Sequence, residues 1–305
     1  MSTEVYQFNE KIMLNRPHGW SVNSRIAEGM GMGHIVESDL LIVTLVNNDK
    51  DLFNITRDSI LLNQSLTATH LVFDSSIEPI SQFYAHDSLN IYFMHIPPLG
   101  IYESMNYAIQ WIQKSVTGNP YVLFLNSGDS LNGTFSQFQS ELNESDGDFI
   151  YGKYNVIDPI TCLWVEIDPI HWKRWHQYFT YRPISHQAIL VRKSSFEKFG
   201  KFNTNFKVAA DWDFILRCSK GAPFKYYPYL ISNFQLGGFS SRNKKVANKE
   251  LLKIRKIHGP KIFLFSLVSI FFYAWRNLRI LLLKNIRENR PNLLKKVRKF
   301  KGWHP

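Results

Sequence analysis

The chain has 305 residues, 45% of them hydrophobic, and a mean hydropathy of −0.20, which excludes a disordered chain and a polytopic membrane protein and leaves one large domain or two small ones. The net charge of +11 is unevenly spread: from Arg242 to Pro305 there are 18 Lys and Arg against two acids, Glu250 and Glu288, while residues 1–241 are mildly acidic. The two cysteines, Cys162 and Cys218, lie far apart without metal-ligand spacing and read as reduced structural thiols.

Residues 1–38 show no clear periodicity and form an N-terminal extension, with a loop at Gly29-Met30-Gly31-Met32-Gly33. Met1 to Arg16 lacks the apolar stretch of a secretory signal, so the body is expected to face the cytosol. From Leu40 to Val46 runs a continuous apolar, β-branched segment, the pattern of a buried parallel strand. It stops at Asn47-Asn48-Asp49 and a helical pattern follows. Leu71-Val72-Phe73 predicts a second strand ending at Asp74-Ser75-Ser76, and Ile91 to Met94 a third. Between Ile101 and Val116 the apolar positions Ile101, Met105, Ile109, Ile112 and Val116 make one helical stripe. Tyr121 to Leu125 predicts a fourth buried strand, ending at Asn126-Ser127-Gly128-Asp129. Further on, Phe149 to Tyr151, Ser185 to Val191 and Phe224 to Ser232 read as strands, and Asp211 to Ser219 as a helix. Strands alternating with helices imply a doubly wound α/β sheet, in which ligands bind beyond the carboxyl ends of the strands. Thr44 to Asn47, Asp74 to Ser76 and Asn126 to Asp129 are thereby expected along one edge.

Several residues at that edge suit chemistry. Asp129, behind a strand and a glycine, is placed to hold Mg2+ or Mn2+ beside a diphosphate, or simply to close a turn. Asp74 offers an acceptor to a pyrimidine N–H, or caps a turn with Ser75 and Ser76. Asp211 and Asp213 flank Trp212 where a helix opens. One of them, with Asp211 preferred, is expected to act as a general base on a hydroxyl, and the other to favour the helix dipole. His186-Gln187 is a candidate sugar contact or a satisfied structural pair. Gly237-Gly238-Phe239-Ser240-Ser241 is a glycine-rich loop without a P-loop lysine. The aromatic residues Trp164, Trp172, Trp175, Tyr178 and Phe179 are candidates to shape an acceptor cleft.

Taken in order, the segments Leu41–Asn48, Leu71–Ser76, Leu99–Asn106, Phe124–Asp129, His186-Gln187, Ala210–Arg217 and Gly238–Ser240 resemble family 2 glycosyltransferases. The likeness is to the bacterial branch that builds colanic acid, capsule and O-antigen polysaccharides, and it covers residues 39–241. It implies a GT-A fold, Rossmann-like with a mainly parallel central sheet and flanking helices, and a nucleoside-diphosphate sugar donor. Thr44, Val46, Asn47, Asp74, Ser76, Asn106, Asn126 and Ser127 are then expected to bind the nucleotide sugar. Asp129 would be the ligand of a divalent metal, and Asp211, with Asp213 beside it, the catalytic carboxylate of an inverting displacement. His186, Gln187, Trp212 and Ser240 would touch donor or acceptor sugar. The sequence departs from the family pattern at Asn126 and Gly128, where aspartates are frequent, at Ala210 in place of glutamate, and at Ser75 in place of glycine.

Residues 242–305 read as a basic helical tail. Ile262 to Trp275 is uncharged but, at 14 residues, short of the roughly 20 that span a bilayer. With the cations around it, this is the pattern of a helix lying in the membrane interface, residues 251–301 meeting an anionic lipid surface; packing on the body, or a true span, are the alternatives. A peripheral or monotopic position on the cytoplasmic face of the inner (plasma) membrane, with a lipid-linked saccharide acceptor, follows as the expectation. Nucleic acid is not expected as a partner, because the basic residues accompany bulky aliphatics. A competing reading of the whole chain is a catalytically silent glycan- or nucleotide-sugar-binding module that scaffolds a membrane assembly.

Overall fold

The computed structural model describes residues 37–63, 66–84, 90–169 and 184–259, with isolated positions beyond them. The N-terminal extension up to residue 36, the aromatic positions Trp172, Trp175, Tyr178 and Phe179, and most of the run 262–283 lie outside the described residues.

The first half follows the sequence closely. β1 (Leu40–Val46) is buried on both faces, as its unbroken apolar sequence requires. α1 (Lys50–Leu61) begins where the Asp49 carboxylate accepts the Leu52 N–H at 2.9 Å. β2 (Thr69–Asp74), β3 (Ile91–His95), α2 (Ile101–Ser115) and β4 (Tyr121–Phe124) complete this half. Then come β5 (Ser130–Leu131), α3 (Gln139–Glu144), β6 (Phe149–Asp158), β7 (Leu163–Ile167), β8 (Ile189–Arg192), α4 (Lys193–Phe199), α5 (Ala210–Cys218), β9 (Phe224–Gln235), α6 (Phe239–Arg242) and α7 (Lys244–His258).

All nine strands join one sheet in the order β3-β2-β1-β4-β8-β6-β9-β5, with β7 paired to β6. Alternate residues of β1 serve two cores: Leu41 and Val43 pack with α2, α5 and α7, Leu40 and Ile42 with Phe135, Phe138 and Leu142. Helices thus cover both faces, as expected of a doubly wound sheet. The expectation of a mainly parallel sheet needs correction. β3, β2, β1 and β4 are parallel, but β8 runs antiparallel between β4 and β6, and β5 and β7 are antiparallel to their partners. Parallel neighbours need long crossovers; α1 and α2 supply them early in the chain, whereas a tight turn at Pro159–Cys162 joins β6 to β7.

Two further expectations change. Ser185 to Val191 is not all strand, because His186–Ala188 form a 3-10 turn before β8, and the side chains of that turn are drawn into polar contacts described below. The boundary at residue 241 falls inside the folded body. α7 buries Ala247, Leu251, Ile254 and His258, a one-sided helical stripe, and Leu251 and Ile254 join the core under α5. Among the described residues no helix is long and apolar enough to cross a membrane.

Candidate active site

The turn after β4 carries the first half of the site. Gly128 has φ +94, a conformation that glycine takes without a Cβ penalty, and it closes the turn in which Asp129 is buried. Thr56, buried on α1, pins the turn: its hydroxyl accepts the Gly128 N–H at 3.0 Å and lies 2.6 Å from the Asp129 carbonyl. The Asp129 carboxylate is only 5% exposed. It accepts the Gln187 side-chain amide at 3.1 Å and the Gln235 backbone N–H, from the end of β9, at 3.0 Å. Burial pushes its pKa up to about 6, against smaller opposing effects of the Gln235 N–H, His186 and Gln187.

The second half is the start of α5. Asp211 Oδ1 receives the Trp212 N–H at 2.9 Å and lies 2.9 Å from the Tyr102 hydroxyl, while Oδ2 lies 3.1 Å from His186 Nδ1. An ionised carboxylate only accepts, so His186 carries its proton on Nδ1 and Nε2 accepts from the Asn126 amide at 3.1 Å. Gln187 and His186 are chain neighbours: one holds Asp129, the other Asp211. The two aspartates, 82 positions apart in the sequence, therefore belong to a single polar site closed by Asn126, and both stand where β4 and the turn before β8 reach the sheet edge.

Asp213 does not join them. Two residues on from Asp211 it faces the other side of α5, is 4% exposed, and pairs with His258 Nε2 at 2.7 Å and Arg217 at 3.4 Å. The expectation of a catalytic role for Asp213 gives way to a structural one, tying α5 to α7. Trp212 packs partly buried against the core. Ser240 is exposed on α6, and no hydrogen bond between it and the aspartate site is among those described.

The residues expected to hold the nucleotide divide in the same way. Asn126 and Ser127 lie in the Asp129 turn, and Asn47 is exposed at the carboxyl end of β1. Thr44 is fully buried and bonded to His70 Nε2 at 2.8 Å; burial, helped by Arg57, holds the His70 pKa down to about 3, so this is a neutral bond inside the sheet. Val46 is buried, and its carbonyl accepts from the Ser75 N–H and hydroxyl. Asp74 is a turn cap, its oxygens accepting the Ser76 and Ile80 N–H groups at 2.9 and 2.7 Å. Ser76 accepts the Asn48 N–H at 2.8 Å. The Asn106 amide clasps the Phe202 backbone through two bonds, at 2.8 and 2.9 Å. The side chains of Thr44, Asp74, Ser76 and Asn106 are thus engaged by the protein itself. The sequence reading missed Thr56 and Tyr102. Burial, with Asp211 next in weight, raises the Tyr102 pKa well above the usual phenol range, so its hydroxyl is a proton donor. Tyr102 lies next to Ile101, the first residue of the α2 stripe.

A divalent cation fits the Asp129 turn. The buried carboxylate has only neutral amide donors around it and forms no ion pair among those described. Next in the same turn, two buried oxygens, Asn126 Oδ1 and Ser127 Oγ, have no hydrogen-bond partner among the described residues. Hard cations take such oxygen ligands, commonly one or two carboxylates with the rest from phosphate and water. Among the described residues no group of three His, Cys, Asp or Glu gathers for a metal, so most ligands would come from substrate and solvent.

No family model matches the chain. Among curated proteins it is 27% identical over 203 residues to PGL/p-HBAD biosynthesis glycosyltransferases of Mycobacterium bovis and Mycobacterium tuberculosis, covering 59% of this chain and 73% of theirs. Among solved structures it is similar to S. aureus TarS 1-349, with TM-score 0.51 at 13% identity over 83% of this chain and 73% of that one. It is also similar to a mannosyltransferase from Pyrobaculum calidifontis in complex with GDP-Man and Mn2+, with TM-score 0.51 at 10% identity over 88% and 76% of the two chains. The structural likeness shows a shared fold. Together with the sequence relatives it supports a GT-A-like glycosyltransferase.

Proposed function

We propose that the chain is an inverting glycosyltransferase that moves a sugar from a nucleoside-diphosphate sugar to a lipid-linked saccharide in cell-surface glycan assembly, working at the cytoplasmic face of the plasma membrane. The observation that carries this reading is the joining of Asp129 and Asp211 through the adjacent residues Gln187 and His186. Asp211 is the only partly exposed carboxylate of the pair, at 16% of its side chain. In this reading its Oδ2 takes the proton of the acceptor hydroxyl. The hydroxyl oxygen then bonds to the anomeric carbon from the side opposite the diphosphate, whose bond to that carbon breaks, inverting the centre. His186, donating from Nδ1, orients the carboxylate. Asp129, with Asn126 and Ser127, would hold a divalent cation, which when bound neutralises charge on the diphosphate.

Membrane placement is supported by α7. Lys245, Lys249, Lys253 and Lys256 are exposed along one face of it, opposite the face that packs on the body. Such a stripe attracts anionic lipid, at roughly 1 kcal/mol per cation close to the surface.

The test is turnover. Purified protein, a panel of uridine, guanosine and thymidine diphosphate sugars, Mn2+ and a short-chain lipid-linked acceptor should yield product of inverted anomeric configuration by NMR. Donor binding without release of nucleoside diphosphate from any of them would turn the reading to a silent binding module.

A further inference from the structure

The segment leading into α5 is gripped from outside the sheet. Glu250, buried on α7, accepts three successive backbone N–H groups: Lys207 at 2.7 Å on Oε1, and Val208 and Ala209 at 2.9 and 3.0 Å on Oε2. An anion there satisfies the N–H of Ala209, the N-cap of α5, together with the two N–H groups before it, and suits the positive end of the helix dipole. The same peptide reaches the site from its other side. The Val208 carbonyl lies 2.9 Å from the Tyr102 hydroxyl, which lies 2.9 Å from Asp211 Oδ1. Eight residues after Glu250, on the same face of α7, His258 fixes α5 again through Asp213. One buried acid thus sets the height of residues 207–209, and with it both the first turn of α5 and the hydroxyl that supports Asp211.

The Tyr102 hydroxyl has one proton and two acceptors in reach. While Asp211 is ionised, Tyr102 keeps this proton and donates it in a hydrogen bond to Asp211 Oδ1. The Val208 carbonyl is the second acceptor of that hydroxyl and fixes where its oxygen stands beside Asp211. That placement requires the Val208 carbonyl to stay where Glu250 holds its peptide.

We propose that Glu250 is a positioning residue for the catalytic carboxylate, acting through Val208 and Tyr102; this rests on Asp211 being the base. Glutamine at 250 keeps one acceptor oxygen and turns an NH2 toward backbone donors, so residues 207–209 lose their shared anchor. A misplacement of about 1 Å at a catalytic group costs about 100-fold in rate. Glu250→Gln is therefore expected to lower kcat by about 10- to 100-fold, with the donor KM within about twofold because the Asp129 turn is untouched. Glu250→Asp, which keeps the charge on a shorter stem, should recover part of that loss. Tyr102→Phe, which keeps the ring packed, tests the relay from the other end should the Gln variant fail to fold, and should also lower kcat at constant KM. Thermal melts run beside the kinetics report the folded fraction.

Wild-type kcat in folded Glu250→Gln or in Tyr102→Phe, alongside an inactive Asp211→Asn, overturns the positioning role and leaves the base assignment standing. A loss in Glu250→Gln that only follows its folded fraction overturns it too. Normal turnover by Asp211→Asn overturns the base assignment, and the positioning role with it.

Discussion

For a carboxylate buried as deeply as Asp129, with two amides donating to it among the described residues, ionisation within the fold is costly, and its pKa of about 6 expresses that cost. Because the folded pKa lies above the unfolded one, the native state holds the proton more tightly between about pH 4 and 6, and stability falls as pH rises through that window. Asp129→Asn should therefore stabilise the metal-free protein by about 1–2 kcal/mol at pH 7.5 and change little at pH 4, in denaturant titrations at both values. Proton and cation compete for the same oxygens, so Mn2+ affinity measured by calorimetry should rise about tenfold from pH 5 to pH 7. An affinity flat across that range would show that the cation binds elsewhere. Gly128→Ala, forced into φ +94 with Leu52 Cδ2 3.3 Å from the new methyl, should cost about 1–2 kcal/mol and lower Mn2+ affinity as the turn shifts. Asp129, Asp211, His186 and Gln187, which the structure joins by hydrogen bonds, drew attention in the sequence because each stands where an element begins or ends, next to glycine or in a short polar cluster. Thr44, Asp74 and Asn106 sit in equally suggestive places, yet their polar groups are used up by His70, by the turn after β2 and by Phe202. Nothing in a linear pattern separates these groups from the ones at the polar site.

At the level of elements, the parallel half of the sheet announced itself through long apolar runs in β1, β2 and β4, each buried on both faces. The strand expected from Ser185 starts only at Ile189, because His186 and Gln187, whose side chains join the two aspartates, form a turn before β8. α7 was misassigned to the tail: five lysines, an arginine and a histidine conceal a stripe of Ala247, Leu251 and Ile254 that belongs to the core. Truncation separates the two readings. A chain ending at Gly259 should unfold cooperatively with most of the full-length stability. One ending at Asn243 loses Leu251 and Ile254 from the core, takes His258 from Asp213 and takes Glu250 from the N–H groups of residues 207–209, a loss of about 5 kcal/mol or more. Equal melting of the two chains would show that α7 contributes nothing to the body.

Over the whole molecule, α7 has a buried face that holds α5 and an exposed face lined with lysine, so a surface bound by the lysines lies one helix away from Asp211. Full-length protein should float with vesicles containing anionic lipid and remain behind with purely zwitterionic ones. Replacing Lys245, Lys249, Lys253 and Lys256 by glutamate should weaken flotation at least tenfold and make the remainder more sensitive to salt; flotation unaffected by the four changes would remove α7 from the lipid contact. The central claim, that Asp211 and Asp129 serve one reaction from opposite ends of a shared site, is tested most directly by Asp211→Asn assayed for transfer and for donor binding in the same preparation. The expected result is a fall in kcat of about 1,000-fold or more with the donor Kd unchanged within about twofold, because an amide cannot take the acceptor's proton while the Asp129 turn is intact. Turnover at the wild-type rate would contradict the account.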